Sequence, residues 1–442
     1  MKTIKQRLDE VLNFTKTEKI GEVARKSREK AFTRKRKMPL YDIIVSILIR
    51  KGLTSSMEIR NFFKQKNDIE GKITKQAWLK ARRQLNPEVF EVLNDEYLRY
   101  FYESEEEVKT WHDFLVFAID GSKVEITNSK ENREKYGTFK TKNGESAARA
   151  LASGMFDVLN NFFIDLRITN LKESEISAAR KNIKAIKRIG FKQKILVIFD
   201  RGYPSLELFN YLEENGISYI IRLPKSDYTI ERKQLEEEQN DCEIELTHTY
   251  RRLLNVKNKD IKRYEELKAK GSTKVRFVRE KTPSGEEFAL FTNLPKTISG
   301  EEICKSYFLR WKIEEAYQTL KNKMKFESVS GNASIYVKQD FLSQIFVYNM
   351  MEDIRMDAEK QIQQNPEKYK HPQAINQNEA IGIFKDEMID LWLEEDSEIR
   401  ALRFKALQDE LKKCLRPVRK SPSKPRKFNI KNRFFSNQKP PF

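Results

Sequence analysis

The spacing of apolar residues changes near residue 110, and that change divides the chain. Upstream, the apolar positions recur at helical intervals. Tyr41 to Arg50 (YDIIVSILIR) is apolar on nearly every side, which predicts a buried central helix in a small bundle. Thr74 can cap a helix running to Leu85, with Ala77, Ala81 and Leu85 on one face. From about 112 the runs have strand length. Phe114 to Ile119 is continuous and ends on Asp120; a Gly-Ser turn and a second strand-like run (VEIT) should follow. Met155–Val158 and Phe162–Ile168 flank Leu159-Asn160-Asn161 and read as a hairpin. Glu173–Ile189 has helical spacing and closes at Gly190. Ile195–Phe199, ending on Asp200, reads as a strand buried on both faces. A helix from Leu206 to Asn215, ended by Gly216, and a buried strand at Ile217–Leu223 complete a mixed sheet carrying helices.

The rest is less regular. Residues 225–298 are charge-rich, with strand-like stretches at 242–249, 274–279 and 287–292 and a turn at Pro283-Ser-Gly285, which predicts an inserted, mostly β segment. After Ser299 the chain reads as helix to about Lys325, and again over 335–414. The expected organisation is a helical region over 1–108, a mixed α/β core over 109–334 with its insertion, a helical region over 335–415, and a tail over 416–442. That tail holds nine basic residues, five prolines and no acid, so it should order only on a partner, if at all.

Charge narrows the partners. A formal net charge of +19 over 442 residues favours a polyanion, because binding phosphates releases condensed counterions. Arg25–Lys37 carries eight basic residues and one acid, and Lys75, Lys80, Arg82 and Arg83 follow the apolar helix. These segments suit DNA docking; a solvated charged face is the alternative. Three scattered cysteines exclude a full disulfide framework, and three histidines make a histidine-based metal site improbable. The start lacks the apolar core of a signal peptide, and no apolar run is long enough to span a bilayer, so an intracellular, reduced location is expected.

Context selects the chemistry among 66 acidic residues. If the strands ending on Asp120 and Asp200 are neighbours, their ends lie about 5 Å apart. Carboxylates that close repel unless a cation neutralises them, and Mg²⁺ prefers such oxygen ligands. Otherwise each aspartate merely ends a strand and starts a turn. Ser299 and Glu302 have capping-box spacing, which marks where the following helix begins. At about 100° per residue, Tyr307, Arg310, Glu314 and Lys321 fall on one narrow stripe. A polar stripe on a helix otherwise rich in apolar residues points to a lined site; an exposed salt-bridged face is the alternative.

The segment YFLRWKIEEAYQTLK, with Tyr307, Arg310, Glu314 and Lys321 at intervals of three, four and seven, resembles the signature of the insertion-sequence-four family of bacterial DDE transposases. AIDGSK around Asp120, VIFDRGYPS around Asp200 and LFTNLP before the helix are similar in the same order, so the resemblance spans about 112–330. It implies an RNase H-like catalytic core in which Asp120, Asp200 and Glu314 hold two Mg²⁺ ions, with Mn²⁺ able to substitute. A β-rich insertion before the glutamate belongs to that pattern. Tyr307, Arg310 and Lys321 would hold phosphates of the element's end. Arg201 and Tyr203 in the second motif, and Lys80, Arg82 and Arg83 in the helical region, are the further DNA contacts expected. The implied activity is metal-dependent cleavage at the ends of an insertion sequence and transfer of the freed 3′-OH into target DNA. The implied setting is the cytoplasm of a bacterium, near its nucleoid, with double-stranded DNA as partner and a dimer on that DNA. A silent, domesticated DNA-binding descendant, or a nuclease that cuts without joining, are the alternatives.

Overall fold

The computed structural model describes every residue except 1, 35, 67–72, 105, 141–143, 234–239, 282–284, 286, 364–369 and 419–442. Pro283, Ser284 and nearly all of the basic tail therefore lie outside the described residues. In chain order, six helices come first: α1 (Ile4–Thr15), α2 (Glu18–Arg25), α3 (Leu40–Leu48), α4 (Ser55–Gln65), α5 (Lys75–Arg82) and α6 (Glu88–Tyr102). Then follow β1 (Phe114–Glu125), α7 (Lys130–Tyr136), β2 (Thr138–Lys140), β3 (Ser146–Asp157), β4 (Phe162–Asn170), α8 (Glu175–Ile189), β5 (Lys194–Phe199), α9 (Leu206–Glu214) and β6 (Ser218–Arg222). Next are α10 (Thr229–Lys233), β7 (Asp241–Thr247), α11 (Tyr250–Lys257), α12 (Ile261–Lys270), β8 (Ser272–Lys281) and β9 (Glu287–Thr292). The chain ends with α13 (Gly300–Tyr307), α14 (Trp311–Gln318), α15 (Ser334–Gln363), β10 (Gln373–Ile375), α16 (Gln377–Leu393), α17 (Ser397–Leu411) and β11 (Leu415–Pro417).

Contacts group these elements into two compact units, one of residues 1–104, 124–149 and 317–442, the other of 105–123 and 150–316. In the first, N-terminal and C-terminal helices share one core. α3 is buried along almost its whole length, as the apolar run predicts. Thr74 caps α5 by accepting the Ala77 N–H, and Trp78 donates its indole N–H to the Ser46 hydroxyl at 2.9 Å. Arg7 pairs with Asp353 at 3.0 Å, joining α1 to α15, and Tyr97 donates to the same carboxylate.

The second unit is built on a mixed sheet whose strands run β4-β3-β1-β5-β6-β9-β8-β7. β1, β5 and β6 are parallel; β9, β8 and β7 continue the sheet antiparallel. This is the mixed α/β core that the apolar runs imply. β5 is buried from Ile195 to Phe199, so its side chains alternate into two packed faces, which is why it reads as continuously apolar. The hairpin β3–β4 forms with Asn161 at φ 59, a left-handed turn position that asparagine tolerates, and α8 closes on Gly190 at φ 82.

Two local readings are corrected. No turn interrupts the chain at Gly121-Ser122: β1 runs through to Glu125, because Gly121 takes ordinary extended backbone there. The insertion is not mostly β: it contains α10, α11 and α12, and its three strands extend the core sheet. Short helices such as α12, charged at six of its ten positions, leave little apolar periodicity to read. Arg276 on β8 secures the segment leading to α13. Its guanidinium pairs with Asp241 at 2.6 Å and donates to the carbonyls of Leu294, Pro295 and Ile298.

Candidate active site

Ile119 on β1 is register partner of Phe199 on the parallel β5, so Asp120, within β1, and Asp200, just past β5, stand side by side. Neighbouring strands lie about 4.8 Å apart, which brings the two carboxylates into one small region. α13 begins at the expected capping box: the Ser299 side chain accepts the Glu302 N–H, and the Glu302 carboxylate accepts the Ser299 N–H. The helix then delivers Tyr307, Arg310 and Glu314 to the aspartates. Tyr307 donates its hydroxyl to Asp200 Oδ1 at 3.1 Å. The Arg310 guanidinium donates to Glu314 Oε1 at 2.8 Å and stands 3.9 Å from Asp120.

The electrostatics follow from this crowding. Burial pushes the Asp120 carboxyl up to about 6; Glu314 and Asp200 add to the rise, while Arg310 and the Gly121 N–H oppose it. Burial likewise pushes the Tyr307 hydroxyl up to about 12, so it keeps its proton at neutral pH. Burial works against the charge of Arg310, but Tyr307, Asp200, Glu314 and Asp120 outweigh it and hold the guanidinium above its ordinary value. Arg310 Nε and Nη1 are buried without a hydrogen-bond acceptor among the described residues. A buried donor left unmatched costs about 1–3 kcal/mol, so this guanidinium is arranged for an oxygen-rich ligand that approaches it.

Among the described residues no group of three or more His, Cys, Asp or Glu side chains stands in metal-holding geometry. Glu314 is turned onto Arg310, whose charge answers it. The donor set nevertheless fits a hard divalent cation: Asp120, Asp200 and Glu314 offer only carboxylate oxygens, and burial, with smaller contributions from Glu314 and Asp200, disfavours the charge on Asp120.

The helix is not the uniform cylinder that the stripe assumes. A 3-10 turn at Phe308–Arg310 separates α13 from α14, and a π turn covers Thr319–Lys323. Tyr307, Arg310 and Glu314 cluster with the aspartates, while Lys321 lies in the π turn, 3.9 Å from Glu327. Burial lowers the Lys321 amine below its ordinary value, against the pull of Glu327.

Two expected DNA contacts are corrected. Arg82 is fully buried, pairing with Asp340 at 2.6 Å and donating to Ser330 and Gln339. Tyr203 is 1% exposed and packs on Phe199, so it belongs to the core. Lys80, Arg83 and Arg201 are exposed, the last on the turn directly after Asp200. Three features were not expected. The Glu175 carboxylate lies against the backbone after both aspartates: its oxygens would be 3.2 Å and 3.3 Å from a Cβ placed on Gly121 and on Gly202. Phe308 and Trp311 are 62% and 47% exposed on either side of the buried Arg310. Only the glycines after each aspartate could have pointed to Glu175, and nothing in the sequence distinguishes Trp311 from a core tryptophan.

Residues 111–350 match the transposase DDE domain, more than half of the chain, and the chain belongs to that family. The core is the mixed α/β sheet described above. No curated protein matches the chain. Among solved structures, the chain is similar to the piggyBac transposase in a synaptic complex with hairpin DNA. The identity is 9%, covering 99% of this chain and 89% of that one, with a TM-score of 0.45.

Proposed function

We propose that this protein is an insertion-sequence-four-type transposase that cleaves DNA at the ends of its element and joins the freed 3′-OH to target DNA. The observation that carries the reading is the meeting of Asp120, Asp200 and Glu314 around a buried Arg310 with two unmatched donors. Asp120, Asp200 and Glu314 would hold two Mg²⁺ ions, with Mn²⁺ able to replace them; two such ions stabilise both the attacking and the leaving oxygen of an in-line displacement.

This chain's own residues do the positioning. Arg310 Nε and Nη1 donate to oxygens of the scissile phosphate. Tyr307, protonated at neutral pH, keeps Asp200 oriented through its hydroxyl and needs no covalent role. In the first step water attacks phosphorus, the bond to the 3′ oxygen breaks, and that oxygen leaves as a hydroxyl after taking a proton. In the second, the 3′-OH attacks a target phosphodiester, a new ester forms, and one strand bond of the target breaks. Neither step needs a redox partner.

Lys321 contributes a phosphate contact by the family resemblance. Exposed Lys80, Arg83 and Arg201 contribute backbone contacts, with the helical region 1–108 docking DNA and the core 109–334 carrying catalysis. The helical region 335–415 serves the dimer expected on DNA, and the tail from 416 adds non-specific affinity. The test uses the purified protein and a plasmid carrying the repeats that flank its gene, with Mg²⁺, Mn²⁺ or EDTA, beside Glu314→Gln. Metal-dependent nicks at the element's 3′ ends, absent in the variant while end binding persists, are the expected result. Equal loss of binding and cleavage in Glu314→Gln would remove Glu314 from the metal site. Cleavage without strand transfer would make the protein a nuclease.

A further inference from the structure

A groove of about 1270 Å³ runs between α8 and the insertion helices α11 and α12, within the sheet-bearing unit. One end is formed by Ser174 and Pro204, close neighbours of Glu175 and Gly202, so it opens beside the glycines that follow the two aspartates. Its size exceeds the roughly 300–1,000 Å³ of ordinary small-molecule pockets, which are mostly apolar. The walls here are charged.

Most of those charges answer one another. Arg180 pairs with Glu207 at 2.6 Å, Lys181 with Glu173 at 2.5 Å, Arg252 with Glu231 at 2.5 Å, and Arg263 with Glu214 at 2.8 Å. Asp260 is occupied in capping α12. What remains is Asp227, which accepts from the Ser226 hydroxyl, and three cations. Lys184 on α8, Arg251 on α11 and Lys259 before α12 line the groove, are exposed, and make no side-chain hydrogen bond or ion pair among the described residues. The paired acids do not repel a polyanion, and three free cations on separate elements outnumber Asp227 and form a track for one.

We infer that this groove takes the sugar-phosphate backbone of target DNA, without regard to sequence, and leads it past the catalytic cluster. This rests on the transposase reading, under which a second DNA must approach Asp120 and Asp200 while Arg310 holds the element's end. The contact is through Lys184, Arg251 and Lys259 to phosphates, and each phosphate neutralised releases counterions.

The test is fluorescence anisotropy on the full-length protein in EDTA, with a short duplex that lacks the element's repeats and one that carries them. For K184A/R251A/K259A the slope of log K against log salt should shrink by two to three on both duplexes, at about 0.9 per lost phosphate contact. The charge-preserving K184R/R251K/K259R should retain the slope, which separates charge from folding. In Mg²⁺, the triple alanine variant should cleave element ends within about threefold of wild type, while strand transfer into a plasmid falls tenfold or more. An unchanged slope, or a loss confined to the repeat-bearing duplex, would overturn the inference. A wild-type protein that neither cleaves nor joins would overturn the transposase reading instead, and the anisotropy would still decide whether DNA occupies the groove.

Discussion

Replacing Arg310 with glutamine separates a residue poised for a ligand from one that holds the fold together. Arg310 is 5% exposed, yet its Nε and Nη1 have no acceptor. Unmatched buried donors cost about 1–3 kcal/mol each, so their removal relieves the folded state. Against that stands the lost pair with Glu314, which is partly exposed and contributes about 1 kcal/mol or less. The net change in stability should lie near zero, and Tm should move by no more than about 4 °C. Function should respond very differently. Two charge-assisted hydrogen bonds to a phosphate contribute about 1.5–3 kcal/mol each, so cleavage should fall by about 10²- to 10⁴-fold. Arg82→Gln supplies the contrast. Arg82 is fully buried and bonded to Asp340, Ser330 and Gln339, and breaking such a buried pair costs about 3–5 kcal/mol. Its Tm should drop on the order of 10 °C, with cleavage near wild type at a permissive temperature. The assays are calorimetry and nicking of an end-bearing plasmid. A drop of about 10 °C in Arg310→Gln, or cleavage within tenfold of wild type, would refute the reasoning.

Three further outcomes are expected. Tyr307→Phe removes the hydroxyl that orients Asp200 at 3.1 Å and should slow cleavage about tenfold with little change in Tm; an unchanged rate would deny Tyr307 that role. Arg276→Leu strands the Asp241 carboxylate and three carbonyls before α13, so it should destabilise by more than about 3 kcal/mol, and a urea midpoint equal to wild type would contradict this. Lys385 is fully buried, donating to Gln344 Oε1 at 3.0 Å and to the Arg50 carbonyl, and burial pushes its amine down to about 7. Between that value and its ordinary 10.5 the unfolded chain binds a proton that the folded chain does not, so stability should rise with pH across this window, by at most about 1.4 kcal/mol per unit. Lys385→Met should lack that rise; parallel stability curves from pH 7 to about 9 would refute the assignment.

The sequence by itself determined the elements whose cause is local. β5 is legible because a strand packed on both faces must be apolar at every position, and α13 because Ser299 and Glu302 satisfy each other's backbone across one turn. Gly190 closes α8 because glycine adopts φ 82 at no steric cost. Asp120, Asp200 and Glu314 stood out for the same reason: each sits at a defined place on an element that the pattern predicts. Tertiary structure decided what depends on partners distant in the chain. Among Lys80, Arg82 and Arg83, local chemistry is alike, and only Asp340 on α15 determines which cation is buried. The parallel register of β1 and β5 decided that the aspartates meet, and the 3-10 and π turns interrupt the single helix that the stripe assumes. The groove beside α8 could not be read at all, because its free cations are defined by ion pairs that form only when the insertion packs on the core, and a pair between distant residues leaves no periodicity in the sequence.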